Sequence, residues 1–422
     1  MNKPGDNIDT THVKESVRWS ELDFLRGLAA CLMIANHLGF ASCSYEESTL
    51  VATMTFLGGM APVLFFLVTG LGYGVQSVSG RPRSNNRHLS KITILLMADA
   101  FLWLRPGQLV GNDFIGFIAI SSLILDMVRR SSRSLAMSFG LIVLIIAARF
   151  AVGPLVRTHS QANELSNLLG SVLGVRPLQG FSYPPSPWLV YPLMGYALGR
   201  VAATNSRQIQ ARRVSVSLGL LLMASIPLTL GLLVLARGGI LFRYSTMSIG
   251  FFLMTLPTIF IALAISLLLG RSRLGSTVAA SLSLSGVRSF AIVPLHYLFL
   301  DLTRSLWGPV QGVWGYLLWV LMGVIFSFQL SKAVPWSKAW IESRDLAGAA
   351  RLFVVVAVVL GVVFILTGSL GKLPDHLVRQ GAQLGLCLLF GLLPAAGEPW
   401  QPITPREHWK NRGFVTGKPP SR

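Results

Sequence analysis

The chain has 422 residues, of which 52% are hydrophobic and only 13% are charged. A soluble domain carries about 25% charged residues, so the composition excludes an ordinary soluble enzyme and predicts a multi-pass integral membrane protein. The formal net charge is +19, but the basic residues lie in short segments between apolar runs, as they do in cytoplasmic loops. That distribution indicates the lipid bilayer as the chain's surroundings and argues against a nucleic-acid partner.

Apolar runs recur along the chain, and a spanning helix needs about 20 predominantly apolar residues. We therefore predict an all-α, polytopic transmembrane helix bundle of about 10–12 spans. The runs lie near residues 21–40, 53–77, 90–104, 112–129, 134–152, 186–203, 214–236, 246–270, 287–306, 312–333, 347–368 and 378–396. This divides the chain into a cytoplasmic N-terminal tail (1–18), a transmembrane domain (19–396) and a basic cytoplasmic C-terminal tail (397–422).

Basic residues concentrate in every second loop between these runs. The loop after the second run holds Arg81, Arg83, Arg87 and Lys91, and the loop after the fourth holds Arg129, Arg130 and Arg133. Loops rich in Lys and Arg stay in the cytoplasm. Both termini are therefore predicted to be cytoplasmic, with the bundle in a bacterial inner or plasma membrane.

The first run contains two ionisable side chains, Arg26 and His37, eleven residues apart. Eleven residues make roughly three helical turns, so both side chains face the same way, about 16 Å apart along the axis. Ionisable groups inside a membrane segment are costly and mark functional sites. A desolvated imidazole stays neutral, and a neutral imidazole can act as a general base. The alternative for His37 is a buried side chain that only bonds a neighbouring helix.

Arg26 is too far along the axis to contact His37. Its expected partner is a phosphate or carboxylate near the inner face, or Asp23 one turn earlier. An arginine that snorkels and anchors the helix end is an equal alternative.

Two aspartates lie in or beside the next predicted spans, Asp99 in the third and Asp113 at the start of the fourth. Both are predicted to lie toward the outer side, as His37 is. A carboxylate there can orient the imidazole of His37, as the third member of a catalytic relay does. The alternative is an Asp–Arg pair with Arg105 that supports helix packing.

His296 lies in the ninth predicted span, two residues after Pro294, which should kink the helix. We predict that His296 contacts substrate, with a polar bond between helices as the alternative. The remaining histidines and the three cysteines show no metal-ligand spacing, so no metal is expected. The glycines of Gly70-Leu71-Gly72-Tyr73-Gly74 indicate close helix packing.

The stretch from Leu22 to Ala29, ending in Asn36-His37, resembles the first helix of multipass membrane acyltransferases. These are acyltransferase family 3 and the heparan-α-glucosaminide N-acetyltransferase-like proteins, which share an Arg, ten residues and then a His. Residues 56–70, 112–115 and 187–199 are similar to further elements of the second group, in the same order. The resemblance covers about residues 18–200. Asp113 is followed by Phe-Ile rather than Ile-Leu, which leaves the acceptor substrate open.

The resemblance implies transfer of an acyl group, usually acetyl from acetyl-CoA, to a hydroxyl or amine of a glycan or lipid-linked saccharide. His37, Asp113 and Asp99 are then the expected catalytic residues. The expected substrate contacts are Arg26, His296, Asn36 and Trp188. Arg26 would steady the anionic acyl-CoA donor at the inner side, and His37 would do the proton chemistry nearer the outer side. His37 would act as a general base or carry the acyl group itself.

Two other functional classes stay open at this point. Intramembrane charges can line the path of a transporter or flippase for a lipid-linked or small polar substrate. The other class is a glycan-polymerising or structural membrane subunit without chemistry of its own. The acyl chain, the choice between O- and N-acylation and the oligomeric state, a homo-oligomer included, are left undetermined.

Overall fold

The computed structural model describes residues 19–42, 48–78, 85–102, 113–159, 169–175, 182–236, 247–269, 272–284 and 286–333, together with residues 358, 361, 381, 383, 385 and 386. Within these ranges every regular element is a helix, which confirms the predicted all-α class. The two tails lie outside the described residues, as do the predicted spans 347–368 and 378–396 apart from the six isolated positions.

The helices follow one another with short connections. They are α1 (Ser20–Ala41), α2 (Thr49–Gly58), α3 (Ala61–Val78), α4 (Asn85–Leu102), α5 (Phe114–Arg130), α6 (Ser134–Ala147), α7 (Gly153–His159), α8 (Pro185–Trp188), α9 (Val190–Thr204), α10 (Ser206–Ala211), α11 (Arg213–Ala236), α12 (Ile249–Leu269), α13 (Arg273–Leu282), α14 (Gly286–Trp307) and α15 (Val313–Ala333). A π-turn at Ala148–Val152 joins α6 to α7.

Six helices of the described part are long and apolar enough to cross a membrane. They are Ser20–Ala41, Thr49–Val78, Ser134–Val156, Arg213–Val234, Ile249–Leu269 and Val313–Lys332. Among the other predicted spans, α5 has 17 residues and α9 has 15, fewer than the roughly 20 that a bilayer requires of an untilted helix. The molecule is a multi-pass integral membrane protein.

The sequence-based boundaries differ from the structure at several points, and two of them bear on the arrangement around α1. The predicted span 53–77 consists of α2 and α3, which separate at Gly59 and Met60. Pro62 lies in the first turn of α3, where its missing N–H removes one of the backbone hydrogen bonds that would join the two helices. The short helix α13 was not predicted, and it begins where the Ser272 hydroxyl accepts the Gly275 N–H at 2.9 Å. Such side-chain capping stabilises the first turn of a helix.

The closest helix crossing joins α3 to α9. Gly70 and Gly74 on α3 face Gly195 and Gly199 on α9, and a Cβ added to any of the four would collide with the backbone of the opposite helix. Glycines four residues apart let two helices approach in this way. The crossing confirms the close packing predicted for the Gly70–Gly74 run, and α3 also packs against α1.

Segments predicted to be cytoplasmic meet at one end of the bundle. The contacts are an Arg213–Glu21 ion pair at 3.4 Å, a Leu284 N–H to Asp23 carbonyl bond at 3.0 Å and a Lys332 Nζ to Ser281 carbonyl bond at 3.1 Å. The starts of α1 and α11, the end of α13 and the end of α15 therefore share one end. Which side of the membrane this end faces stays a prediction from the basic loops.

Candidate active site

Helix α1 carries both ionisable residues that the sequence singled out. It is continuous from Ser20 to Ala41, with Arg26 near its start and His37 near its end. It packs against α2, α3, α14 and α15. Both residues therefore lie in a helix surrounded by protein, where desolvation makes an uncompensated charge costly.

His37 belongs to a cluster of three rings contributed by α1 and α14. Its Nε2 lies 3.4 Å from the Tyr297 hydroxyl. Its ring centroid lies 5.0 Å from that of His296 and 4.9 Å from that of Tyr297. The structure thus brings His37 and His296 together. Tyr297 was missed, although a tyrosine beside a histidine in an apolar helix has a hydroxyl that usually finds a partner when buried.

The contacts of His296 determine which of its ring nitrogens carries hydrogen. The side chain is only 2% exposed, and Nδ1 lies 3.0 Å from the Ile292 carbonyl oxygen one turn earlier. A carbonyl oxygen only accepts, so Nδ1 is the donor, and the neutral ring has its lone pair at Nε2. Nε2 is buried and has no hydrogen-bond partner among the described residues. The bond to Ile292 lies within α14, so it is not the interhelical bond considered as the alternative.

Two hydrogen bonds hold the end of α1 in place beside this cluster. The Asn36 side chain donates to the Thr55 carbonyl on α2 at 2.7 Å. The Tyr316 hydroxyl donates to the Ala35 carbonyl at 3.0 Å from α15. Asn36 thus has a packing contact, and the substrate contact expected of it stays a prediction.

Arg26 lies at the other end of α1, beside a small polar cavity. Its guanidinium pairs with Asp23 at 2.6 Å, as predicted, and its side chain is 22% exposed. The cavity has a volume of about 90 Å³ and includes polar side chains from α3, α5 and α14. Those polar side chains are Thr69, Tyr73, Gln76, Ser122 and Ser289.

Helix α14 connects the two regions. Ser289 and Phe290 line the Arg26 cavity, and His296 and Tyr297 contact His37. Seven residues of helix make roughly 10 Å. The contact between α1 and α14 therefore carries a guanidinium at one end and two imidazoles at the other. Within the described residues, no group of three or more His, Cys, Asp or Glu side chains could hold a metal ion.

The two aspartates expected to act with His37 meet at the start of α5. The Asp113 N–H donates to Asp99 Oδ2 at 2.7 Å. A carboxylate beside the start of a helix interacts favourably with the helix dipole. Asp99 thus contacts the first residue before α5 and supports the start of that helix. A catalytic role for either aspartate stays a prediction, and Arg105 lies outside the described residues.

Trp188 lies in the aromatic core between α3 and α9. Its side chain is fully buried, with ring centroids 4.9 Å from Tyr183, 5.8 Å from Tyr191 and 5.9 Å from Phe66. Edge-to-face contacts of this kind stabilise a core beyond the area that they bury. The substrate contact expected of Trp188 stays a prediction.

Fold and site together define a polytopic helical membrane protein with an imidazole pair, of which His296 is buried and His37 partly buried. The family model for the catalytic domain of heparan-alpha-glucosaminide N-acetyltransferase matches residues 18–230. The match spans half of the chain, and the chain belongs to this family. It is an acetyltransferase-type membrane enzyme. No curated protein and no solved structure matches the chain. Arg26 and His37 lie inside the matched range, and His296 and Tyr297 lie beyond it.

Proposed function

We propose that the enzyme moves an acyl group, preferably acetyl, from acyl-CoA to a hydroxyl or amine of a glycan or lipid-linked saccharide. His37 is the general base. The observation that carries this proposal is the His37 imidazole, which lies inside the matched family range and contacts Tyr297 and His296. A neutral imidazole in that position can take a proton as a nucleophile attacks.

The reaction needs one proton to be held and then returned. His37 takes the proton of the acceptor hydroxyl or amine while the acceptor atom bonds to the thioester carbonyl carbon. The C–S bond then breaks, the CoA thiolate leaves with the electron pair, and His37 returns the proton to it. In the covalent variant, the His37 imidazole attacks the carbonyl carbon first, and the C–S bond breaks as the CoA thiolate leaves with the electron pair. The acceptor then attacks the acyl carbon, the C–N bond to His37 breaks, and the acceptor's proton ends on the thiolate.

Arg26 would hold the anionic part of the donor. Asp23 occupies one nitrogen of the guanidinium, and the remaining N–H groups can donate to a phosphate. The adjoining cavity offers hydroxyl and amide groups beside it. The basic loops support a cytoplasmic position for this end, where acyl-CoA is found. The pantetheine arm would then reach across the roughly 16 Å to His37.

The first test uses His37→Ala in isolated membranes with labelled acetyl-CoA and an extract of surface glycans. We expect acyl transfer to fall by at least about 100-fold, the usual share of a general base. Cys31→Ser is the matched control, because Cys31 lies on the same helix and is partly buried; it should keep parental activity. Parental activity in His37→Ala would contradict the proposal. Label retained on His37 in the parent protein would select the covalent variant.

The acceptor is best identified by mass spectrometry of surface glycans from cells with and without the protein. An added acyl mass names the acceptor and distinguishes an ester from an amide. A transporter or flippase predicts substrate counterflow without any acylated product, and that result would overturn the proposal.

A further inference from the structure

We propose that His296 is a positioning residue that shares the proton which His37 takes from the acceptor. This inference rests on the proposed function and deepens it. His296 then belongs to the proton chemistry instead of the substrate contact predicted from the sequence. The family match ends at residue 230, so it assigns no role to His296.

The first argument is the buried, unpartnered nitrogen of His296. The bond from Nδ1 to the Ile292 carbonyl fixes the tautomer, so Nε2 presents a lone pair. That atom is buried without a hydrogen-bond partner among the described residues. A buried acceptor without a partner is unfavourable, so such an atom in a folded protein needs an explanation. A histidine used only for packing leaves this lone pair unexplained.

The second argument is the ring that lies beside His296. The His37 and His296 rings are 5.0 Å apart, and each also contacts the Tyr297 ring. A catalytic histidine is generally oriented by a third group that stabilises its charged form. The aspartate of the serine triad does this with a carboxylate. Among the described residues, His37 has an imidazole and a phenol beside it, those of His296 and Tyr297.

The proposed step balances in protons and electrons. As the acceptor attacks the thioester, its proton moves to His37, which becomes an imidazolium. His296 stays neutral and stabilises the charge with its Nε2 lone pair. Two cationic rings at 5.0 Å would repel each other in a medium of low dielectric. The two rings together therefore take up only one proton beyond the N–H that each neutral ring already carries. The thiolate released by C–S cleavage takes that proton, and both rings are neutral again.

The test compares two replacements that separate packing from proton sharing. In His296→Asn the amide can still donate to the Ile292 carbonyl, but no atom replaces Nε2. In His296→Gln the longer amide carries an acceptor toward the ε position but cannot take a proton. We expect kcat to fall on the order of 100-fold in His296→Asn, with KM for donor and acceptor nearly unchanged, and to recover in part in His296→Gln, whose amide oxygen supplies a lone pair near the ε position. Parental kcat in His296→Asn would show that the histidine only packs.

Thr303→Val is the control, and it tests whether kcat falls after any change that disturbs the packing of α14. Thr303 is buried on the same helix, and its hydroxyl accepts the Trp319 N–H at 2.9 Å. This variant loses a buried interhelical bond without touching the ring cluster. It should keep the parental kcat. If it loses as much kcat as His296→Asn, the effect of His296 is structural and the inference fails.

A second measurement does not depend on activity. Nitrogen-15 NMR of the histidine rings in the membrane-embedded protein distinguishes Nδ1–H from Nε2–H tautomers. The chain has seven histidines, so the His296 signals are those absent from the His296→Asn spectrum. We expect a neutral ring with hydrogen on Nδ1. An Nε2–H or doubly protonated ring overturns the inference. Absence of acyl transfer in the parent protein overturns the proposed function instead, so the two failures are distinguishable.

Discussion

Arg26 is paired inside the bundle with Asp23, which lies one turn before it. The side chains of the pair are only 22% and 8% exposed, and the desolvation of such a pair offsets much of its Coulombic attraction. The main effect of the pair is therefore to fix the orientation of the guanidinium. Asp23 holds one edge of the planar guanidinium and leaves the other N–H groups directed toward the cavity and its polar side chains.

This geometry predicts the effect of changes at Arg26. In Arg26→Gln we expect KM for acyl-CoA to rise about tenfold with little change in kcat, because a ground-state contact to an anion is lost. Arg26→Lys keeps the charge but loses the planar fork. Its KM for acyl-CoA should therefore lie between that of the parent protein and that of Arg26→Gln. Initial rates at varied donor concentration measure both values. An unchanged KM together with reduced protein in the membrane would support the snorkelling anchor instead.

At the scale of the elements, the crossing of α3 and α9 is what fixes the bundle around α1. The four facing glycines allow backbone contact that no other residue permits. The aromatic core at Trp188 adjoins this crossing through Phe66 and Tyr191.

The π-turn at Ala148–Val152 lets α6 continue past its predicted end into α7. Such turns insert a residue without ending a helix.

The crossing predicts opposite effects for two Gly→Ala changes. At Gly195 the new methyl group meets the Leu67 carbonyl, and overpacking of this kind costs about 1–3 kcal/mol. At Gly140 on α6 nothing lies within 4 Å, and alanine is the better helix former by about 1 kcal/mol. Thermal unfolding in detergent should show a lower midpoint for Gly195→Ala and an equal or higher midpoint for Gly140→Ala. Equal midpoints for the parent protein and both variants would contradict the crossing.

At the scale of the whole molecule, the site is assembled from two distant parts of the chain. His37 and Tyr297 are 260 residues apart in sequence and touch. Large exposed aromatic side chains lie at the ends of the helices on the His37 side, namely Phe40, Trp307 and Trp314. Aromatic residues concentrate at membrane–water interfaces. Their position supports a location of the imidazole pair toward one interface and of Arg26 toward the other.

The orientation predicts how two engineered cysteines are labelled. Ser132 and Gln311 are exposed residues in the turns after α5 and after α14. In a background without native cysteines, Ser132→Cys should react with an impermeant maleimide only after the membrane is opened. Gln311→Cys should react in intact cells, because its turn lies at the opposite end from the basic loops. The reverse pattern would place acyl-CoA on the His37 side and overturn the proposed path of the donor.

The sequence by itself determined the membrane class, most of the helices and the presence of two ionisable residues, Arg26 and His37, on α1. Apolar runs and buried charges are local signals, and their cost in a bilayer does not depend on which helix lies beside them. The break between α2 and α3 and the helix α13 were missed, because their signals are single residues, Pro62 and Ser272.

Only the tertiary structure decided the partners of His37. Whether a carboxylate, a phenol or an imidazole lies beside it depends on which faces of α1 and α14 meet, and that follows from packing across the whole bundle. The tautomer of His296 likewise depends on the direction of one ring relative to the Ile292 carbonyl. No spacing in the sequence carries that direction, because rotamers are selected by the neighbours that the fold supplies.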